Sequence, residues 1–150
     1  MSHVRVVCHQ LAPRLGDAHY NRALSAEAIR GAAALGAQVL VLPELMQSGY
    51  VFNDVQEAYA LSEPLDGPTL TLWKTLASQL NLIVVAGFCE RLADGKVANS
   101  AALIEPDGPM TVYRKAHLWD REKLIFTPGD APPPVVETAV GRIAVMICYD

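Results

Sequence analysis

The feature that most constrains the fold is a run of three apolar segments between residues 83 and 114. The turns joining them are too tight for anything but antiparallel neighbours. Residues 83–90 (IVVAGFCE) and 98–104 (ANSAALI) flank Ala93-Asp94-Gly95, and Glu105-Pro106-Asp107-Gly108 then turns the chain into residues 110–114 (MTVYR). Asp, Pro and Gly at these positions supply the turn geometry, so the segment reads as a strand meander. Upstream, residues 4–10 read as a strand. Asp17 is placed to cap a helix through about Leu35, with Leu24, Ala28, Ala32 and Leu35 near helical spacing, and Gly36 stops it. Residues 38–42 (QVLVL) follow as a buried strand ended by Pro43. A β-α-β unit gives parallel neighbours and a meander gives antiparallel ones, so the predicted class is α/β with a mixed sheet.

Other elements fit around this frame. Residues 44–53 form a loop containing Gly49 and the aromatics Tyr50 and Phe52. After the turn Pro64-Leu65-Asp66-Gly67-Pro68, a second helix is predicted near residues 69–80, with Leu70, Trp73, Ala77 and Leu80 on one face. A long loop spans 115–134, and residues 135–138 and 142–147 form a final strand pair. That pair ends three residues before the chain does, with no further element to cover it. Residues 1–150 are therefore expected to be a single domain that is incomplete at its C-terminus, the N-terminal part of a longer fold.

Composition removes several function classes. Hydrophobic residues make up 51% of the 150, enough for a core and too many for disorder. The net charge is −4 with no basic run, which argues against nucleic acid and anionic membrane as partners. The longest apolar stretches fall far short of a membrane span, and Met1–Arg5 lacks a signal-peptide core. Three widely spaced cysteines are not a disulfide framework. They fit a reducing compartment, and the expected location is cytoplasmic.

Four residues share a position suited to chemistry. Glu44 follows QVLVLP, Lys115 follows MTVYR, Cys148 follows AVMI, and Glu122 lies in the loop after Lys115. Ligands of α/β sheets bind beyond the carboxyl ends of strands, so these groups can meet in one pocket despite their separation. Each alone has an ordinary reading. A strand-end glutamate or lysine is usually solvated, and a cysteine in an apolar strand is usually an inert core residue. Cys8 and Cys89, inside predicted strands, are expected to be core. The four histidines show no metal-ligand spacing, and no glycine-rich phosphate loop is present. Tyr50, Phe52 and Trp119 sit in loops beside the proposed site, where they line a pocket or pack locally.

Leu42-Pro43-Glu44-Leu45, then Tyr113-Arg114-Lys115-Ala116-His117-Leu118, then Met146-Ile147-Cys148-Tyr149-Asp150 resemble, in order, the three motifs of the nitrilase superfamily of carbon–nitrogen hydrolases. Asn99-Ser100-Ala101 with Pro106-Asp107-Gly108 is similar to the family's hairpin before the lysine. Glu122-Lys123 with Phe126-Thr127-Pro128-Gly129-Asp130 is similar to its loop between lysine and cysteine. The resemblance implies a four-layer αββα sandwich, of which this chain supplies the N-terminal part. It also implies a homodimer or larger homo-oligomer, and no metal or organic cofactor.

It further implies roles for residues. Cys148 is the nucleophile and Glu44 the general base. Lys115 and the backbone N–H of Tyr149 are oxyanion donors, and Glu122 orients Lys115 or the substrate. Tyr50, Trp119 and Tyr149 are the substrate-binding candidates. The implied reaction is hydrolysis of a small aliphatic or terminal amide to acid plus ammonia through a thioester on Cys148. Tyr149-Asp150 after the cysteine is similar to amidase-like members, whereas nitrilases read Cys-Trp-Glu there. The alternatives are N-carbamoyl or nitrile hydrolysis by the same residues, or a noncatalytic binding or assembly member. Retention of Glu44, Lys115 and Cys148 argues against the last. The absence of a Cys-x-x-Cys pair argues against a thiol redox protein.

Overall fold

The computed structural model describes residues 3–150. Its elements are β1 (Val6–Cys8), α1 (Ala18–Ala34), β2 (Val39–Val41), α2 (Val55–Leu61), α3 (Pro68–Leu80), β3 (Ile83–Arg91), β4 (Val97–Ile104), β5 (Met110–Arg114), α4 (Glu122–Ile125), β6 (Val135–Thr138) and β7 (Gly141–Ala144). Strands β1 to β5 form one sheet in sequence order, and β6–β7 form a separate antiparallel hairpin. β1, β2 and β3 are mutually parallel, while β4 runs against both β3 and β5. The mixed α/β class follows, with the β-α-β unit and meander where the sequence puts them.

Strand alternation explains why both sheet faces are covered. Leu40, Val84, Ala86, Ala102 and Ile104 face one way, onto Ile29 and Ala32 of α1 and Leu70, Trp73 and Ala77 of α3. Val39, Ile83, Ala101, Leu103 and Tyr113 face the other way, onto Val136, Val140, Ile143, Val145 and Ile147 of the hairpin and the segment after it. Successive residues of a strand point to opposite faces, so one apolar run serves two cores. The result is a helix layer, a five-stranded sheet and a hairpin packed on its far face. This agrees with the predicted sandwich; its second outer helix layer is not among the described residues.

The helix ends are set locally. Asp17 accepts a 3.0 Å hydrogen bond from the Tyr20 N–H and caps α1, while Gly36 takes φ +70° just past its end. Helix α3 starts on Pro68 with no cap of its own. Instead the buried Glu63 carboxylate accepts from the Thr69 N–H (2.8 Å) and hydroxyl (2.7 Å).

Several expectations need correction. Leu35 is 64% exposed, because the buried stripe of α1 runs through Ala28, Ile29 and Ala32 and ends before it. Residues 4–10 shrink to the three-residue β1, an edge strand with one neighbour. Cys8 on it is exposed rather than core. Cys89 is fully buried, as expected. The last strand stops at Ala144, so Val145–Ile147 leads to Cys148 as an irregular segment. Two short helices, α2 and α4, interrupt stretches that the sequence reading left without structure. No helix among the described residues is long and apolar enough to cross a membrane.

Candidate active site

β1, β2, β3 and β5 run in one direction and β4 in the other. The carboxyl ends of the first group therefore share an edge with the amino end of β4. Glu44 lies just beyond β2, Lys115 follows β5, and Asn99 is the third residue of β4. All three converge there.

Two backbone approaches set the positions. The chain at Glu44 and Leu45 crosses directly over Gly87 of β3. A Cβ at residue 87 would lie 2.4 Å from the Leu45 nitrogen and 2.6 Å from the Glu44 Cα, so only glycine fits. Leu45 takes φ +51° in making this turn. Gly129 presses equally close on the Arg114 carbonyl, and its N–H donates to the Lys115 carbonyl at 2.9 Å. On the helix side of the sheet, Arg114 forms a two-pronged ion pair with the buried Glu90 (2.6 and 2.8 Å), which also accepts from the Ser100 hydroxyl at 2.7 Å. Arg114 is thus held on one face, and Lys115 points to the other.

The Lys115 side chain has no solvent exposure. Its Nζ lies 2.8 Å from Glu44 Oε1, 3.0 Å from Glu122 Oε1 and 2.9 Å from Glu122 Oε2. Burial opposes the lysine charge, but hydrogen bonds and attraction from the two glutamates outweigh it and hold its pKa above the ordinary lysine value. Glu122 is buried on α4. Burial pushes its carboxyl upward, yet the Trp119 N–H (2.7 Å), Lys115 and the Tyr50 hydroxyl (2.7 Å) together hold it below the usual range. Tyr50 is pushed the opposite way, by burial first and then by the hydrogen bond to Glu122 and the nearby negative charge. Its hydroxyl stays protonated and donates.

Cys148 and Glu44 line one small cavity of about 100 Å³ together with Gly87, Ala101 and Ile147. Cys148 itself has φ +48°, a left-handed backbone that lifts it out of the strand path. Asp150 fixes this turn. Its side chain accepts from the N–H groups of Ala116 (3.1 Å), His117 (2.9 Å) and Ile147 (3.1 Å), tying the cysteine segment to the residues after Lys115. Burial pushes Asp150 upward, but the N–H groups of His117 and Ile147, the Tyr113 hydroxyl and the His117 side chain outweigh it and keep the carboxyl below the ordinary aspartate value.

Tyr50 and Trp119 line an adjacent cleft of about 220 Å³ with Val51, Phe52, Glu122 and Ile125. The Tyr149 ring packs against Trp119 at 4.7 Å between centroids. The predicted residues thus gather into two groups, Glu44–Lys115–Glu122–Tyr50 and the Cys148 turn, which meet in the cavity lined by both Glu44 and Cys148. Among the described residues no group of His, Cys, Asp or Glu is arranged to hold a metal.

The sequence reading missed two members of the site. Asn99 donates through Nδ2 to Glu44 Oε1 (2.7 Å) and Glu122 Oε1 (3.3 Å). The sequence places it only in the hairpin motif, because a search for residues after strands passes over the start of an antiparallel one. Asp150 was read only as a flanking residue, although aspartate is a residue type whose side chain often bonds nearby backbone in turns.

A mixed sheet with helices on one face, a hairpin on the other, and Glu, Lys and Cys gathered at one edge is the architecture that the motifs imply. This chain belongs to the carbon–nitrogen hydrolase family, whose profile matches residues 5–150. It is 36% identical over 149 residues to a nitrilase of Pyrococcus abyssi, covering 98% of this chain and 56% of that protein. It is 38% identical over 141 residues to an (R)-stereoselective amidase of a Pseudomonas species, covering 94% and 50%. The fold matches a carbon–nitrogen hydrolase superfamily protein of Xanthomonas campestris, solved with an arsenic adduct in its active site. That match has a TM-score of 0.87 at 28% identity and covers 99% of this chain and 54% of that one. The chain spans about half the length of the relatives it matches.

Proposed function

We propose that this chain carries the catalytic groups of a cysteine-dependent hydrolase of non-peptide carbon–nitrogen bonds, acting on a small aliphatic or terminal amide. The observation that carries the reading is the sharing of Glu44. One oxygen is held by Lys115 and Asn99, and the carboxylate also faces the cavity that Cys148 lines.

Among the described residues Glu44 Oε2 makes no hydrogen bond, so it is the oxygen free to take the thiol proton. The Cys148 sulfur then attacks the amide carbon, and the carbonyl oxygen becomes an oxyanion. Lys115 stabilises that oxyanion together with the Tyr149 N–H; a donor of this kind is worth roughly 3 kcal/mol of barrier. Collapse breaks the carbon–nitrogen bond, and the departing nitrogen takes the proton from Glu44. A thioester on Cys148 and ammonia result. Glu44 next removes a proton from water, the hydroxide adds to the thioester, and acid leaves as the thiol is restored. Glu122 holds Lys115 in place, and the aromatic cleft of Tyr50 and Trp119, with Tyr149 against it, receives the acyl chain. A small neutral chain suits its predominantly apolar walls.

Relatives named nitrilase and amidase bracket the substrate choice, and Tyr149-Asp150 favours the amide. Three cysteines without a disulfide suit a cytoplasmic setting, and self-association belongs to the same reading. The test compares kcat/KM for amide, N-carbamoyl and nitrile substrates sharing one acyl group, with intact mass taken during turnover. The expected outcome is amide preference and an acyl adduct on Cys148 that is absent in Cys148→Ala. A nitrile advantage would overturn the amide assignment; turnover by Cys148→Ala would overturn the mechanism.

A further inference from the structure

We infer that Asn99 is a positioning residue that selects which oxygen of Glu44 acts as the base; the inference rests on the cysteine-hydrolase reading above. Asn99 is almost wholly buried, at 1% exposure. Its Nδ2 bonds to Glu44 Oε1 at 2.7 Å and Glu122 Oε1 at 3.3 Å, so one amide spans both carboxylates of the cluster. Its Oδ1 is buried with no hydrogen-bond partner. The amide cannot turn over to relieve this, because its oxygen would then face two carboxylate oxygens. A buried acceptor without a partner is normally avoided. Here the structure tolerates one in order to keep the donor end on Glu44.

Two donors now saturate one oxygen of Glu44. Lys115 alone is a flexible ammonium that satisfies either oxygen as a point charge. The planar amide, carried on the inside of β4, has one direction of approach. Its backbone is fixed as well, because the Lys115 N–H donates to the Asn99 carbonyl at 2.9 Å. Asn99 therefore breaks the symmetry of the carboxylate, leaving Oε2 without a protein donor among the described residues, on a residue that lines the Cys148 cavity. The charged and titratable groups around Glu44 are Lys115 after β5, Glu122 on α4, Tyr50 in the loop after β2, and Cys148 after β7. None of the others is a neutral rigid donor to it.

The test uses the full chain with Asn99→Leu, which keeps the shape and removes the donor, and Asn99→Ser, which keeps a shorter donor. Thermal melting is measured on both. For Asn99→Leu the expected result is a kcat lower by about tenfold or more with KM within about threefold, since an aligned base is needed in the transition state and not for binding. Asn99→Ser should recover part of kcat at the parental KM. A parental kcat in Asn99→Leu, or kcat and KM changing together, overturns the inference. If Asn99→Leu fails to fold, the split between kcat and KM in Asn99→Ser decides alone. An inactive full-length parent protein with no adduct on Cys148 would instead remove the underlying functional reading.

Discussion

Replacing Gly87 by alanine tests whether Glu44, the proposed base, is placed by the backbone rather than by its own side chain. The new Cβ would sit 2.4 Å from the Leu45 nitrogen, whereas ordinary contact begins at 3.4 Å, a deficit of about 1 Å. The obstacles are main-chain atoms, so no rotamer change relieves the clash. The two segments are also pinned together, through Gly87 N–H to the Pro43 carbonyl (3.1 Å) and Gln47 N–H to the Gly87 carbonyl (3.3 Å). The turn bearing Glu44 must therefore rise by about the deficit. That stretches its 2.8 and 2.7 Å bonds to Lys115 and Asn99 out of hydrogen-bonding range. A misplacement of about 1 Å typically lowers catalysis by about 100-fold, and overpacking of this kind lowers stability by about 1–3 kcal/mol. Steady-state kinetics on the proposed amide substrate and a denaturant melt measure the two effects separately. Gly31→Ala is the control: nothing lies within 4 Å of a Cβ there, so it should stabilise α1 by about 0.5–1 kcal/mol and leave kcat unchanged. Parental kcat and parental stability in Gly87→Ala would refute the argument that this crossing sets the base.

Glu44→Gln should lower kcat by at least about 100-fold. Lys115→Ala should act on kcat more than on KM, and the double variant should lose less than the product of the two; full multiplicativity would mean they do not work together. Iodoacetamide should label Cys148, with substrate protecting it, and should label the exposed Cys8 without protection. Cys89 should stay unmodified, since burial pushes its thiol up to about 12; protection of Cys8 instead of Cys148 would relocate the site. Glu122 and Asp150 have carboxyls held below their ordinary values of 4.5 and 3.8. Their contribution to stability is complete above those values and disappears as pH falls through the depressed ones. The melting temperature should accordingly drop in acid, and Glu122→Gln with Asp150→Asn should flatten that drop; an unchanged acid slope in the double variant would count against it.

The parts of this fold legible in the sequence are those encoded by short-range alternation. QVLVL, IVVAGFCE and MTVYR carry their own period, and the residues that follow them, Glu44 and Lys115, were placed at the site edge on that basis. What stayed illegible depends on contacts between distant segments. Nothing local in the run from Cys89 to Ser100 says that Asn99 meets Glu44, 55 residues away. Gly87 reads as a weak point in a strand until another backbone is seen crossing it. Helix α2 did carry a signal that was passed over: Asp54 caps Glu57 at 2.8 Å, an acidic pair at capping spacing. Helix α4, four residues long, has no period to read. Cys8 misled because β1 has the composition of a buried strand but only one neighbour.

The pairing of Ser100 with Arg114 places Asn99 and Lys115 on the hairpin side of the sheet and Arg114 on the helix side. A slip of one residue in either strand exchanges the two faces. It would drive the Lys115 ammonium toward Trp73 and the α3 core, turn Arg114 toward Glu44 and carry the buried Tyr113 across as well, while the alanine and aliphatic residues on both faces of β4 would still meet apolar neighbours. Such a misaligned chain would keep much of its helical signal and compactness and yet be inert. On the proposed mechanism, titrating active sites with a thioester-forming substrate would exclude such molecules, information that circular dichroism or size measurements on the same sample would not contain.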